Sequence, residues 1–455
     1  MKKWIVSLLF LSTAGTFNAN AQTETKQLSL QEALKYALAN NQKLAVSRLE
    51  ETIGKLKTEE IRAQALPQVN ANGNLTDNIK KQVMVLPGEL AGGAPGTVKV
   101  LEVGTTWNTS ISGELTQQIY NQSVFTGLKA ARSGEEYYRL QTAQTTENVI
   151  FDVTQLYYQL LVKKEKMSVL QTNIDKLTRL VETTKSQFDN GLAKKIDLDR
   201  IKVNLVNYQT QKSQLENQLK VDENRLKQKM GMPIETPVSL PSLALSDIER
   251  KAAATADFGT FDLGSRTETK LLKKTEELQQ YQKRAYLAEY YPSLAFKGNY
   301  SYNGLSNKFD IFKGGNSTAN WYGMSSIGLT LKIPIFDGFA RRSRVKQANV
   351  TLQKIGQQLE ENKLNLNTAF ENARLQLLNN LSTIKTQKEN VSLADEVYSS
   401  TQNNYNLGLA SLTDLLNAET SLAEAQNSYN EALLQYKLAE LDLIKSNGNL
   451  PSLLN

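Results

Sequence analysis

A long block of this chain recurs once, 217 residues further on, and that repeat constrains the fold more than any other feature of the sequence. Phe188-Asp189-Asn190-Gly191-Leu192-Ala193, followed by Asp197-Leu198, aligns with Tyr405-Asn406-Leu407-Gly408-Leu409-Ala410, followed by Asp414-Leu415. The same offset carries Gly231 onto Gly448. Upstream it aligns two heptad series: Val153, Leu160, Met167, Ile174, Val181 and Phe188 with Phe370, Leu377, Ile384, Val391, Tyr398 and Tyr405. Apolar residues at spacing seven mark a long helix packed by knobs into holes, here once in each half. Gly191 and Gly408 suit the left-handed residue that closes such a helix. A second helix then returns. In the second half it carries Leu415, Ala418, Leu422, Ala425, Tyr429, Ala432, Tyr436, Ala439 and Leu443, with alanines that admit a close neighbour. Its first-half counterpart is bulkier and is interrupted by Lys212 and Asp222. An ordinary two-helix coiled coil would explain these heptads, but not the segments between them.

Each half opens with a shorter helix that ends at a proline. The first starts at the capping box Ser29-Leu30-Gln31-Glu32 and runs to about Ala65 before Pro67; the second spans roughly Arg266 to Tyr290 before Pro292. After each proline the period changes to two. Val69, Ala71, Gly73 and Leu75 alternate with polar residues, as do Trp107, Thr109, Ile111, Gly113 and Leu115. The same holds for Leu294, Phe296, Gly298, Tyr300 and Tyr302, and for Ile327, Leu329, Leu331, Ile333 and Ile335. Four strands with one apolar and one polar face, edged by Trp107, Tyr120, Trp321, Tyr322 and Phe336, have the dyad pattern of a membrane barrel. A soluble pair of amphipathic hairpins is the alternative reading of the alternation alone. Four strands cannot enclose a water-filled lumen, since eight give an interior only just filled by side chains. Several chains must then contribute to one barrel. The Gly/Pro/Asn-rich stretches 78–102 and 303–320 suit outer loops.

Residues 1–21 have Lys2 and Lys3, an apolar run from Trp4 to Leu11 and the pattern Ala19-Asn20-Ala21, which predicts a secretory signal peptide cut before Gln22. Removing its two lysines takes the formal charge from +7 to +5. The expected organisation is a signal peptide (1–21), a first repeat (22–230), a connector rich in proline (231–265), a second repeat (266–447) and a C-terminal tail (448–455). The first repeat holds strands at 67–77 and 104–119 and a helical hairpin at 122–229. The second holds strands at 293–303 and 321–336 and a hairpin at 338–446. The fold class is mainly α with a membrane β-barrel part.

These residues resemble the outer-membrane efflux proteins, the family of TolC-like channels. The resemblance spans essentially the whole mature chain. It rests on Ser29-Leu30-Gln31-Glu32-Ala33-Leu34 with Asn40-Asn41, Leu66-Pro67-Gln68, Ile333-Pro334-Ile335-Phe336-Asp337-Gly338, both Gly-Leu-Ala turns and the repeat. It implies a homotrimer in the outer membrane of a Gram-negative cell. Four strands per protomer would form a 12-stranded barrel in lipid, continued by an α-helical tunnel through the periplasm. It also implies a periplasmic adaptor and an inner-membrane transporter as partners. By the same resemblance, Asn190-Gly191-Leu192 and Leu407-Gly408-Leu409 are the tips that touch the adaptor. Tyr405 matches the gate tyrosine, Asp197 its carboxylate partner and Asp414 an acidic ring. The chain departs from the type at Ala410, where a gate arginine would lie, and at Asn417, where a second acidic ring would. The closed state would then be held less firmly, or by Lys194 or Lys195 instead, with a weaker cation block. The plainer alternatives are that the glycines only cap helices and that Asp197 and Asp414 only favour helix first turns.

The chain contains no cysteine and no histidine, which removes thiol nucleophiles, thiolate zinc sites, the commonest general base and the commonest transition-metal ligand. Gly92-Gly93-Ala94-Pro95-Gly96 lacks the spacing of a phosphate-binding loop. Charge is spread along the chain, so nucleic acid is not an expected partner. The expectation is a passive exit duct for a tripartite pump or secretion system, with no enzyme activity, cofactor or metal. A soluble periplasmic coiled-coil adaptor is the alternative of another class. An exported hydrolase is a third, for which no serine has partners at a suitable spacing.

Overall fold

The computed structural model describes residues 27–241, 261–311 and 313–454. The expected signal peptide and most of the expected connector lie outside these residues. The first short helix is two helices, α1 (Leu30–Asn40) and α2 (Gln42–Ala63), rather than one. The capping box forms as expected: the Glu32 N–H donates to Ser29 Oγ at 3.2 Å, and the Ser29 N–H donates to Glu32 Oε2 at 3.0 Å. The break falls at Asn41, whose Oδ1 accepts from the Leu44 N–H at 3.0 Å and whose Nδ2 donates to the Lys229 carbonyl at 2.6 Å. Gly231 lies against this break with φ +73°, and a Cβ there would sit 2.2 Å from the Asn40 carbonyl oxygen. Close approach from the far end of the hairpin thus selects asparagine as cap and glycine as neighbour.

Strands β1 (Gln68–Asp77), β4 (Trp107–Tyr120), β5 (Ser293–Ser306) and β6 (Asn320–Lys332) form one antiparallel sheet in the order β1-β4-β5-β6. Its register aligns the alternation across all four strands. Val69 pairs with Leu115, Leu115 with Gly298 and Gly298 with Ile327; one residue along, Asn70, Glu114, Asn299 and Ser326 line up. One face is therefore apolar and the other polar across the whole sheet, so the alternation in each strand serves one continuous surface. Trp321 stacks on Tyr302 with centroids 5.0 Å apart at the outer end of that face.

The outer stretches differ from the expected loops. The first stretch is largely a hairpin of β2 (Gln82–Pro87) and β3 (Val98–Val103), in which β-branched Val83, Val85, Val98, Val100 and Val103 favour pairing. The second stretch is organised by Asp310, which accepts from Ser306 Oγ at 2.9 Å, the Thr318 N–H at 2.8 Å and Thr318 Oγ1 at 2.8 Å. Lys81 Nζ donates to Asn307 Oδ1 at 2.8 Å and ties the two together. At the inner end, β6 stops at Lys332 and not at the expected 336, because Pro334 lacks an N–H and disfavours continued pairing. The Asp337 carboxylate then accepts from the Arg341 N–H and Nε, each at 2.8 Å, at the start of the next helix.

The long elements are α3 (Gln122–Asp189), α4 (Lys195–Met230), α5 (Thr267–Ala288), α6 (Ala340–Asn406) and α7 (Leu412–Ser446). At 1.5 Å per residue the 68 residues of α3 span about 100 Å. Helices α3 and α4 form one antiparallel hairpin, α6 and α7 the other, and α3 also packs on α7. Midway along, Leu34, Ile150, Val153, Leu226, Met230 and Leu441 close a core where the short helices meet both hairpins. Further from the sheet, Leu377, Ile384, Leu433, Tyr436 and Leu443 fill the second hairpin. Among the described residues no helix is long and apolar enough to cross a membrane.

Candidate functional site at the hairpin tips

Both hairpins turn at the end far from the sheet, through the same backbone device. Gly191 and Gly408 each take φ +74°, a value open to glycine at no steric cost. The Gly191 N–H donates to the Phe188 carbonyl at 2.9 Å and the Leu192 N–H to that of Gln187 at 2.7 Å. Gly408 and Leu409 repeat the pair on Tyr405 and Asn404 at 3.0 and 2.8 Å. These bonds satisfy the last carbonyls of α3 and α6 and fix the turns. A Cβ at either glycine would meet nothing within 4 Å, so each turn presents bare backbone to solvent. Beside it stands a leucine that buries almost nothing: Leu192 is 81% exposed and Leu409 77%.

Between the two tips lies a cavity of about 640 Å³ lined from all four hairpin helices. Lys176 and Arg179 reach it from α3, Asp197 from α4, Tyr398 and Tyr405 from α6 and Glu419 from α7. Asp197 and Tyr405 thus line one cavity. The hydroxyl-to-carboxylate bond that the resemblance implies between them is not formed in the single chain; among the described residues no hydrogen bond involves either side chain. Asp414 does not line this cavity. It completes a capping box with Ser411, accepting from the Ser411 hydroxyl at 2.6 Å and N–H at 3.1 Å, while its own N–H donates to Ser411 Oγ at 3.2 Å. The Ser411 hydroxyl and N–H hold its carboxyl below the usual range, so an exposed negative charge stands at the start of α7.

Three groups absent from the sequence reading stand out. Arg200 Nη1 on α4 donates to Thr413 Oγ1 on α7 at 3.0 Å and bridges the tips. Lys176 Nζ lies 4.6 Å from the Tyr398 ring centroid and joins α3 to α6. Among the described residues neither Lys194 nor Lys195 makes an ion pair within the single chain. The third is Glu419, which is 5% exposed, with Oε1 buried and without a hydrogen-bond partner. Burial pushes its carboxyl up to about 7, against the pull of the Lys176 ammonium. Glu419 is invisible to a heptad reading because it adjoins the Leu415, Ala418, Leu422 series and is covered only where α3 packs on that flank. Among the described residues no group of His, Cys, Asp and Glu side chains is placed to hold a metal ion.

The chain matches the family described as outer membrane efflux protein over residues 33–232 and 272–449. It is similar to the outer membrane protein TolC of Vibrio cholerae serotype O1, 22% identical over 394 residues that cover 86% of this chain and 83% of that protein. Its fold is that of the CmeC outer membrane channel of Campylobacter jejuni, at TM-score 0.71 and 16% identity, with 98% of this chain and 94% of that one covered. The outer membrane protein VceC of Vibrio cholerae superimposes at TM-score 0.70 and 14% identity, with 92% and 96% covered.

Proposed function

This chain belongs to the outer membrane efflux protein family, and from that premise we propose that three copies assemble into one conduit with a docking surface at its tips and a gate behind them. As a family member it is an outer-membrane component through which an efflux system discharges. The observation that carries the finer reading is the sheet: one apolar and one polar face, in register across β1, β4, β5 and β6. Such a sheet belongs with lipid on one side and water on the other, and its two unpaired edges, β1 and β6, must meet other copies. Three copies supply 12 strands, enough for an aqueous lumen. The helices then carry the passage about 100 Å away from the membrane.

On this reading Asn190-Gly191-Leu192 and Leu407-Gly408-Leu409 dock a periplasmic adaptor. The open space over each glycine admits a partner backbone, and the exposed leucine beside it gives an apolar anchor. An inner-membrane transporter behind the adaptor supplies the energy, and the duct itself performs no chemistry. Asp197, Tyr405 and the Asp414 ring line the narrow inner end, where three carboxylates around an axis favour cations. The soluble coiled-coil alternative leaves the apolar sheet face uncovered and is not favoured.

The experiment is reconstitution. The detergent-extracted protein, cross-linked to report its subunit number, forms ion-conducting trimers in planar bilayers, and Tyr405→Phe with Asp197→Ala raises their conductance. Release from cells by osmotic shock without detergent, or a monomer that conducts nothing, would overturn the duct; unchanged conductance in the double variant would overturn the gate.

A further inference from the structure

Two other buried carboxylates among the described residues are satisfied. Asp222 accepts from Lys163 and from Arg225, and Asp310 from Ser306 and Thr318. Glu419 is equally buried, yet its Oε1 is enclosed without a hydrogen-bond partner and it forms no ion pair. It lies on α7 where that helix faces the other hairpin, and a second orphan faces the same cavity from α3: Thr184 Oγ1, also buried and unpartnered. The charged and titratable groups around Glu419 come from every neighbouring helix. Lys176 and Arg179 come from α3, Asp197 and Tyr208 from α4, Tyr398 and Tyr405 from α6, and Glu424 flanks Tyr208 on α7 itself. Lys176 is engaged over the Tyr398 ring and forms no ion pair with Glu419. The cavity holds two cations and two carboxylates, so it selects no ion by net charge. What distinguishes it is an unpaired carboxylate between two rigid hairpins that touch there.

We propose that Glu419 is a proton-operated latch between the hairpins: neutral, it lets α7 lie against α3 as seen here; ionised, it separates them and opens the inner end of the duct. An unsatisfied carboxylate tolerates burial far better when protonated, because the charged form loses its hydration without gaining a partner. The packed arrangement therefore binds the proton more tightly than an arrangement that hydrates Glu419. It is favoured below the raised value near 7 and is lost as pH rises through it, the dependence beginning at the ordinary value of 4.5. Between pH 6 and pH 8 the packed-to-separated ratio falls by about tenfold if the separated form titrates normally. The latch rests on the duct reading above, since it controls passage through it.

The test uses the intact trimer in planar bilayers at pH 6 and pH 8 at one ionic strength. Open probability should rise toward the tenfold limit in the parent, stay flat and low in Glu419→Gln, and keep the parental response in Glu424→Gln, which alters an exposed neighbour. A second readout does not require conduction. The chain has no cysteine, so Gln187→Cys on α3 with Ser421→Cys on α7 carries two spin labels whose separation should lengthen from pH 6 to pH 8 and cease to do so when Glu419→Gln is added. A parent that conducts nothing would fail the duct reading and leave the label distance to decide the latch. A pH-independent distance, or a response that persists in Glu419→Gln, would overturn the latch with the duct intact.

Discussion

Helices α4 and α7 occupy equivalent places in a duplicated design, yet they bury opposite amounts of themselves. Seventeen side chains of α7 are buried against six of α4. The difference follows from single positions. Leu433, fully buried in the second hairpin, stands where α4 carries the exposed Glu216; the buried Ala423 stands where α4 carries the exposed Val206, and at Ala439 α4 buries instead a paired carboxylate, Asp222. Alanine and leucine let α7 lie in the groove between α6 and α3, whereas α4 meets α3 mainly on one side and keeps a polar outer surface. The repeat thus sets two hairpins in register, and differences at the return helices leave one covered from two sides and the other mainly from one. Asp197, Tyr405 and Glu419 accordingly line the cavity where α7 is covered from both hairpins.

The comparison breaks most visibly at its best-packed point. Leu433→Ala should cost about 2–5 kcal/mol, the range for removing a buried leucine side chain from a rigid core. Glu216→Ala, at the same register on α4, should stay within about 0.5 kcal/mol, because Glu216 is half exposed and its contact with Lys212 at 3.6 Å is a surface one. Parallel thermal unfolding of the two variants measures the asymmetry, and equal losses would mean that the two return helices are packed alike. Asp222→Ala comes next. It leaves the Lys163 ammonium, about one-third exposed, without its carboxylate. Solvent screening reduces the loss from the ~3–5 kcal/mol of a fully buried pair to about 2 kcal/mol. The same unfolding assay should show Lys163→Met with Asp222→Ala recovering part of that loss.

The repeat, the heptads and the alternation made the architecture legible because each is a period imposed by packing on one face. Departures occurred where a local chemical event overrides the period. Asn41 reads as an ordinary helical position until Gly231 crowds it, and the glycines at 92–96 drew the eye away from the flanking valines of β2 and β3. At the tips, Gly191 and Gly408 announced the turns, since only a positive φ asks for glycine there. Glu419, Arg200 and Lys176 carried no such signal. Each looks like a solvated charge on a helix, and only contact between hairpins more than 200 residues apart in sequence gives it a role: Arg200 meets Thr413 and Lys176 meets Tyr398.

The smallest asymmetry lies at the helix starts. Helix α7 begins with the Ser411 capping box, while α4 begins at Lys194 with no side-chain cap. Ser411→Ala should cost about 1 kcal/mol, and Lys194→Ser should stabilise by about 0.5 kcal/mol by supplying the missing acceptor. The pH dependence separates these effects from general surface changes. The Asp414 carboxyl is held below its ordinary value in the folded chain, so its part of the box is present above that ordinary value and is lost as pH falls through the depressed one. The gap between parent and Ser411→Ala should therefore narrow in acid, and any gain from Lys194→Ser should narrow with it, because Asp197 stands three residues on and would complete the same box. Thermal unfolding at neutral pH and near pH 3 reads both. A Ser411→Ala deficit that is constant with pH would mean that the Asp414 carboxylate takes no part in starting α7.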